Sequence, residues 1–155
     1  MSRILVIEDQ KLLAQLYRSA LATAKHKVVL AYTGEDGVAE ALREKPDLVI
    51  LDLSLPGISG AEVADALHKL GFLPRTPLII ATTPSDDAYL IADLYTAAAL
   101  LPKPFKISTL LSEVEAALSI SAWKKSVSTA SNLAAGPSKA TQYSRQVFRQ
   151  IGSKV

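Results

Sequence analysis

The sequence predicts an α/β fold in which a parallel sheet of five strands is covered by helices on both faces. Two observations lead to this prediction. Short apolar runs alternate five times with amphipathic stretches of helical period, and the connections between them are short. Because each parallel strand needs a crossover that returns the chain to the same end of the sheet, this alternation favours a doubly wound arrangement. In such folds the functional site lies beyond the carboxyl ends of the strands.

Five apolar runs are predicted as strands. The central run, residues 48–51, contains four consecutive apolar residues with β-branched residues in the middle. This is typical of a strand that is buried on both faces of the sheet. The predicted strands cover residues 3–7, 28–31, 48–51, 78–81 and 98–101.

Helical periodicity and capping residues predict five helices. Pro46 ends the second helix, and Ser59 with Glu62 forms a capping box at the third. Thr83 followed by Pro84 is typical of a cap and first helical position at the fourth. The predicted helices cover residues 12–24, 34–45, 59–70, 84–95 and 107–119. In the first helix the apolar residues at helical spacing are Leu12, Leu13, Leu16, Tyr17, Ala20, Leu21 and Ala24. The residues expected to face inward are Val38, Ala41 and Leu42 in the second helix and Val63, Leu67 and Leu70 in the third. In the fifth helix they are Leu110, Leu111, Val114 and Leu118.

The distribution of charge divides the chain near residue 120. All 15 acidic residues lie at or before Glu115, whereas six of the 17 lysines and arginines lie beyond residue 120. Eleven basic residues against fifteen acidic ones give residues 1–120 a net charge of −4, and residues 121–155 carry +6. We therefore expect one domain over residues 1–120, followed by a basic tail over residues 121–155.

The basic tail is rich in Ser, Ala and Thr, a composition typical of a disordered segment. Within it, residues 140–151 have the pattern of a basic amphipathic helix, with Arg145 and Arg149 away from the apolar side. The apolar side consists of Tyr143, Val147, Phe148 and Ile151. An alternative function follows, in which the tail docks on a partner or binds DNA or an anionic lipid surface. DNA binding that weakens steeply with salt and disappears on truncation at Ser121 would support a nucleic-acid role.

Composition excludes several classes of protein. The chain contains no cysteine, so disulfides, thiolate metal sites and thiol nucleophiles are excluded. The apolar stretch that follows Met1, Ser2 and Arg3 is too short for a signal peptide, and no run approaches the length of a membrane span. We therefore expect a soluble protein of the cytoplasm.

Acidic side chains and a lysine follow the predicted strands at one edge of the sheet. Glu8 and Asp9 follow the first strand, Asp52 the third and Lys103 the fifth. A carboxylate at the end of a buried strand is costly unless it is neutralised, and the lysine or a cation can do this. The cluster predicts a divalent-cation site and an exposed nucleophilic carboxylate. Thr82, which follows the fourth strand, falls at the same edge.

These motifs, taken in order, resemble the receiver domain of two-component response regulators over about residues 1–120. The matching segments are ILVIED at 4–9, LVILDLSLPGISG at 48–60, TPLIIAT at 76–82 and LPKPF at 101–105. The resemblance implies a flavodoxin-like (βα)5 fold with strand order 2-1-3-4-5. It also implies a signalling module that is controlled by phosphorylation.

The resemblance implies that Asp52 is the phosphoacceptor and that Mg²⁺ is the cofactor. Asp9, Asp52 and the backbone carbonyl of Ser54 would bind the ion, and Glu8 would act through a water ligand. Oxygen ligands of this kind are those that Mg²⁺ prefers. We expect no enzymatic activity beyond magnesium-dependent self-phosphorylation and self-dephosphorylation.

The resemblance also assigns roles around the phosphoacceptor. Lys103 would pair with Asp52 and later with a phosphoryl oxygen, and Thr82 would bond another oxygen and report the change. A cis peptide bond is implied between Lys103 and Pro104. Family members usually carry Tyr or Phe three residues before the lysine, where this chain has Leu100. Leu100 offers less area and no hydroxyl, which changes the coupling to Thr82.

The expected partner is a sensor histidine kinase or a histidine phosphotransfer protein. Residues 84–100 form an unusually apolar segment, so we expect this face to bind a second copy of the chain or a target protein.

Two other classes of protein use related folds or chemistry. A haloacid-dehalogenase-like phosphatase places a second Asp two residues after the nucleophile, where this chain has Ser54. A flavodoxin-like cofactor binder needs a phosphate loop rich in Ser, Thr and Gly after the first strand, where residues 8–11 are Glu-Asp-Gln-Lys. Both features argue against these alternatives.

Overall fold

The computed structural model describes residues 1–131 and has a single five-stranded parallel sheet within that range. The strand order is β2-β1-β3-β4-β5, so the predicted fold and order are confirmed. The strands are β1 (Arg3–Ile7), β2 (Lys27–Ala31), β3 (Leu48–Leu51), β4 (Leu78–Thr82) and β5 (Ala99–Pro102). The helices are α1 (Lys11–Thr23), α2 (Gly34–Glu44), α3 (Gly60–Lys69), α4 (Asp86–Leu94) and α5 (Ile107–Ser131).

The core consists of two apolar clusters, one on each face of the sheet. Successive strand residues point to opposite faces, so Ile4 enters one cluster and Leu5 the other. The first cluster contains residues of α1 and α5, and the second contains residues of α2 and α3. Because both faces are covered, β3 is apolar and buried throughout, and β1 is apolar and buried after its first residue, Arg3, as expected of central parallel strands.

The helices bury narrower stripes than the sequence pattern indicates. Leu12 is 85% exposed, and Leu16 is also exposed. The prediction that Leu42 and Leu70 face inward is wrong, since both are exposed. Ala41 takes the sheet-facing position beside Leu42, and Leu70 is the C-cap of α3, beyond its last helical residue. The buried stripe of α1 is Ala14, Tyr17 and Leu21.

Helix α4 begins later than predicted. Ser85, not Thr83, is its N-cap, and the Ser85 hydroxyl accepts a hydrogen bond of 3.2 Å from the backbone N–H of Ala88. Pro84 therefore lies before the cap and not at the first helical position. This start places two aspartates in the first turn, where the positive end of the helix dipole stabilises them.

Helix α5 is longer than the predicted 107–119 because no glycine or proline occurs between residues 119 and 131 to end it. Its inward residues are confirmed: Leu110 and Val114 are buried, and Leu111 and Leu118 contact the first cluster.

The chain divides into two units, Met1–Ala122 and Trp123–Val155. The boundary near residue 120 and the basic tail stay predictions, and the helix expected over 140–151 lies outside the described residues. Among the helices of residues 1–131, none is long and apolar enough to cross a membrane.

Candidate functional site

The sheet register brings the strand-end side chains to one edge. Ile7 of β1 pairs with Leu51 of β3, so the residues that follow them, Glu8 and Asp52, are neighbours. The backbone N–H of Asp52 donates to the Ile7 carbonyl at 3.0 Å and continues this alignment. Thr82 ends β4, opposite the last residue of β5, and Lys103 follows. Parallel strands whose carboxyl ends are aligned therefore place four of the predicted residues together.

Three donors surround the Asp52 carboxylate. Its Oδ1 accepts hydrogen bonds from the Ser54 backbone N–H at 3.0 Å and from the Thr82 hydroxyl at 2.9 Å. Its Oδ2 accepts one from the Lys103 ammonium at 2.9 Å. Asp52 is only 4% exposed, so the expectation of an exposed carboxylate is wrong. These donors replace the water that an exposed carboxylate would have.

Lys103 links two acidic side chains. Its Nζ lies 2.7 Å from Glu8 Oε2 and 2.9 Å from Asp52 Oδ2. Both carboxylates are almost fully buried, and the lysine itself is mostly buried. The Gln10 backbone N–H donates to the other Glu8 oxygen at 3.1 Å. The expected cis bond between Lys103 and Pro104 is present.

Burial and hydrogen bonds shift the pKa values of these groups in different directions. Burial alone would raise the pKa of Asp52, but hydrogen bonds from Ser54, Lys103 and Thr82 outweigh it and lower that pKa. Burial raises the pKa of Glu8 despite its hydrogen bond with Lys103. Burial would lower the pKa of Lys103, but its bonds to the two carboxylates raise it. Asp52 is thus an anion held beside a cation.

Glu8, Asp9 and Asp52 each offer an oxygen atom, and these three atoms lie within 4.8 Å of one another. Asp9 stays accessible to solvent while the other two are buried. A group of carboxylate oxygens with one side open fits Mg²⁺, which takes oxygen ligands and keeps several waters. Ser54 contacts Asp52 through its backbone N–H, and a role for its carbonyl as a metal ligand stays a prediction.

Gly60 is a positioning residue that the motif contains but to which sequence reasoning gave no role. Its backbone N–H donates to the Leu53 carbonyl at 3.1 Å. A Cβ at this position would collide with the Asp52 carbonyl oxygen and the Leu53 Cα. The start of α3 can therefore lie against the end of β3 only with glycine here. The signal available in the sequence is a glycine directly after the Ser59 cap.

Leu100 lies on β5 beside Ile80 of β4. It is partly buried and contacts the second core cluster. Thr82, two residues after Ile80, already bonds Asp52. The part predicted for Leu100 in signal transmission stays a prediction.

Comparison with known proteins places this geometry in context. A sequence model of the response regulator receiver domain matches residues 4–115. Response regulator ArlR of Staphylococcus aureus (strain Mu50) is 39% identical over 119 residues, which cover 76% of this chain and 53% of ArlR. The chain thus spans about half the length of the curated relatives it matches.

Solved structures show the same likeness. A signal receiver domain from Vibrio parahaemolyticus has a TM-score of 0.75 and 32% identity, covering 81% of this chain and 96% of its own. A CheY-like response regulator receiver domain protein from Methanospirillum hungatei has a TM-score of 0.75 and 25% identity, covering 80% of this chain and 98% of its own.

Proposed function

Because the chain belongs to the response regulator receiver domain family, we propose that it accepts a phosphoryl group on Asp52. Membership of this family implies a two-component signalling module and a histidine kinase or histidine phosphotransfer protein as partner. The observation that carries the proposal is the Asp52 carboxylate itself. It is held as an anion by three donors, one of which is the Lys103 ammonium, and two further acids lie beside it.

The transfer would begin at Asp52 Oδ2, which accepts one hydrogen bond where Oδ1 accepts two. This oxygen attacks the phosphorus of a phosphohistidine as the phosphorus–nitrogen bond breaks. The phosphohistidine reacts with its other ring nitrogen protonated, so the electron pair of the broken bond stays on the imidazole and the leaving group is a neutral histidine. The second product is an acyl phosphate on Asp52. Such a transfer depends mostly on positioning and charge stabilisation.

Lys103 and Thr82 would stabilise the charge that the transfer brings. The ammonium of Lys103 lies 2.9 Å from the attacking oxygen, so a small rotation carries it to a phosphoryl oxygen. The Thr82 hydroxyl, now on Oδ1, would bond a second phosphoryl oxygen. Because Thr82 ends β4 and α4 follows closely, this change of hydrogen-bond acceptor would be transmitted to the start of α4.

Mg²⁺ fits the acidic group of Glu8, Asp9 and Asp52. Asp9, Asp52 and the Ser54 carbonyl would hold the ion, and Glu8 would act through a water ligand. When bound, the ion supplies positive charge that offsets repulsion between the carboxylates and the incoming phosphoryl oxygens. The groups of the chain contribute the rest. The Ser54 backbone N–H orients the Asp52 carboxylate, and the Lys103 ammonium offsets the repulsion between Glu8 and Asp52.

Acetyl phosphate, a small acyl phosphate, tests whether the chain accepts a phosphoryl group when no partner protein is known. Wild-type protein incubated with acetyl phosphate and Mg²⁺ is expected to gain the mass of one phosphoryl group. The same mixture with EDTA is expected to leave the mass unchanged, since the three carboxylates then repel the donor. Unchanged intact mass in the presence of Mg²⁺ would rule out the proposed function.

The output would pass through an apolar surface on α4, consisting of Tyr89, Leu90 and Leu94, which are all exposed. This surface is narrower than the predicted 84–100 face, because Ile91 and Tyr95 contact the second core cluster. We propose that phosphorylation lets two copies associate through it.

Sedimentation measures this association. Phosphorylated protein is expected to sediment as a dimer and unphosphorylated protein as a monomer. Leu90→Asp should keep the phosphorylated form monomeric, because an isolated charge in an apolar contact is costly. Leu12→Asp, at an exposed leucine on α1, is the matched control and should leave the phosphorylated form dimeric. If both forms of the wild type sediment as monomers, the surface would not be a dimer contact.

A further inference from the structure

Tyr17 is a large buried side chain of α1 that lies close to the candidate site. It is only 2% exposed and belongs to the first cluster, between Ala14 and Leu21 in the buried stripe of the helix. Burial raises the pKa of the Tyr17 phenol, and the carboxylates of Glu8 and Asp52 raise this pKa further. The phenol is therefore near enough to two acids of the site to be influenced by their charge.

The ring of Tyr17 contacts the segment that carries Lys103. It stacks on the ring of Phe105, with the two centroids 5.8 Å apart and the planes inclined by 22°. Phe105 is two residues after Lys103 and is partly buried against the first cluster. Aromatic rings at this separation stabilise each other beyond the effect of the area that they bury. The stacking therefore ties residues 103–105 to α1.

Residues 103–105 are held at both ends. At the first end, the backbone N–H of Lys103 donates to the Thr82 carbonyl at 2.8 Å, directly after the paired ends of β4 and β5. At the other end, the Phe105 ring lies against Tyr17. Between these two contacts the Lys103 ammonium reaches both of its carboxylate partners, at 2.7 and 2.9 Å. A side chain that contacts two fixed groups at once depends on a backbone whose position is fixed.

Helix α1 also positions one of these carboxylates. Gln10 is the N-cap residue of the helix, and its backbone N–H donates to Glu8 Oε1 at 3.1 Å. Tyr17 is seven residues further along, which is about two helical turns. One helix therefore contacts Glu8 at its start and, two turns later, the segment of the lysine that pairs with Glu8.

We propose that Tyr17 is a positioning residue that holds the Lys103 ammonium between Glu8 and Asp52 by means of the Phe105 ring. Tyr17 acts through Lys103 and not on the phosphoryl group itself. Its effect on phosphoryl transfer rests on the proposed function, in which the same ammonium stabilises a phosphoryl oxygen. The aromatic ring makes the contact, so phenylalanine should replace Tyr17 and leucine should not.

The NMR signal of the Lys103 side chain tests this contact before any phosphoryl group is added. In protein with isotope-labelled lysine, at constant pH and without Mg²⁺, the ε-methylene signal of Lys103 is the one that is absent from Lys103→Arg. Tyr17→Leu is expected to move this signal towards the range of exposed lysines such as Lys106, whereas Tyr17→Phe should leave it in place. Leu21→Ala is the control for lost packing, since it opens the same cluster one turn further along α1, and it should also leave the signal in place. An unchanged Lys103 signal in Tyr17→Leu would overturn the proposal.

The rate of phosphoryl uptake from acetyl phosphate tests the consequence. With Mg²⁺, Tyr17→Leu is expected to slow uptake about tenfold, because a small misplacement of a charge-stabilising group has effects of at least this order. Tyr17→Phe and Leu21→Ala should keep the wild-type rate at a temperature where circular dichroism shows every variant to be folded. Equal slowing by Tyr17→Leu and Leu21→Ala would overturn the proposal, since lost packing alone would explain it. If the wild type gains no phosphoryl mass, the proposed function fails, and the Lys103 signal still decides whether Tyr17 positions the ammonium.

Discussion

Replacing Lys103 with methionine is expected to lower the free energy of unfolding by about 3–5 kcal/mol, the usual loss when one partner of a buried ion pair is removed. The reason is local. Lys103 is the cation that contacts both Glu8 and Asp52, at 2.7 and 2.9 Å. Without it, two buried carboxylates would face each other with only neutral donors nearby. Methionine fills a similar volume, so the loss would come from charge and not from a cavity.

Urea denaturation followed by circular dichroism measures this loss. Lys106→Met, at an exposed lysine three residues away, is the matched control and should change the free energy by less than about 0.5 kcal/mol. Adding Mg²⁺ should recover part of the stability of Lys103→Met, because binding to the folded state alone stabilises it. Equal stability of Lys103→Met and wild type without Mg²⁺ would contradict the ion-pair geometry.

Replacing Asp52 with asparagine is expected to abolish phosphoryl uptake while leaving the fold intact. An amide lacks the negative charge of the nucleophile, yet it has nearly the same shape and can still accept the bonds from Ser54 and Thr82. Lys103 would retain Glu8 as its partner, so no buried cation is left unpaired.

Wild type and variants are compared by intact mass after treatment with acetyl phosphate and Mg²⁺. Asp52→Asn should show no added phosphoryl mass, and circular dichroism should show native helix content. Asp93→Asn, on the exposed side of α4, removes a carboxylate elsewhere and should be labelled like the wild type. Labelling of Asp52→Asn to the wild-type level would exclude Asp52 as the acceptor.

Most of the fold could be predicted from local sequence because each strand is a short apolar run with a clear end. The run at 48–51 is buried throughout and lies in the centre of the sheet. Details that depend on competing local signals could not be predicted. Thr83 and Ser85 are both good caps, and α4 begins after Ser85 with two aspartates in its first turn. Leu42 is apolar but lies beside the sheet-facing Ala41.

The residues of the candidate site could be predicted because parallel strands end at one edge, and the structure brings Glu8, Asp52, Thr82 and Lys103 into contact there. The environment of these residues could not be predicted from the sequence. Asp52 can be almost fully buried because donors on three separate segments replace its water. The need for glycine at residue 60 depends on how closely α3 approaches the end of β3, which only the folded chain determines.

The most direct measurement is the position of the phosphoryl group on the wild-type chain. Borohydride reduces an aspartyl phosphate to homoserine, and peptide mass spectrometry then locates the altered residue. Protein treated with acetyl phosphate and Mg²⁺ is predicted to contain homoserine at position 52 and aspartate at position 9. Homoserine at position 9, at another acid or at no position would contradict the assignment of Asp52 as the phosphoacceptor.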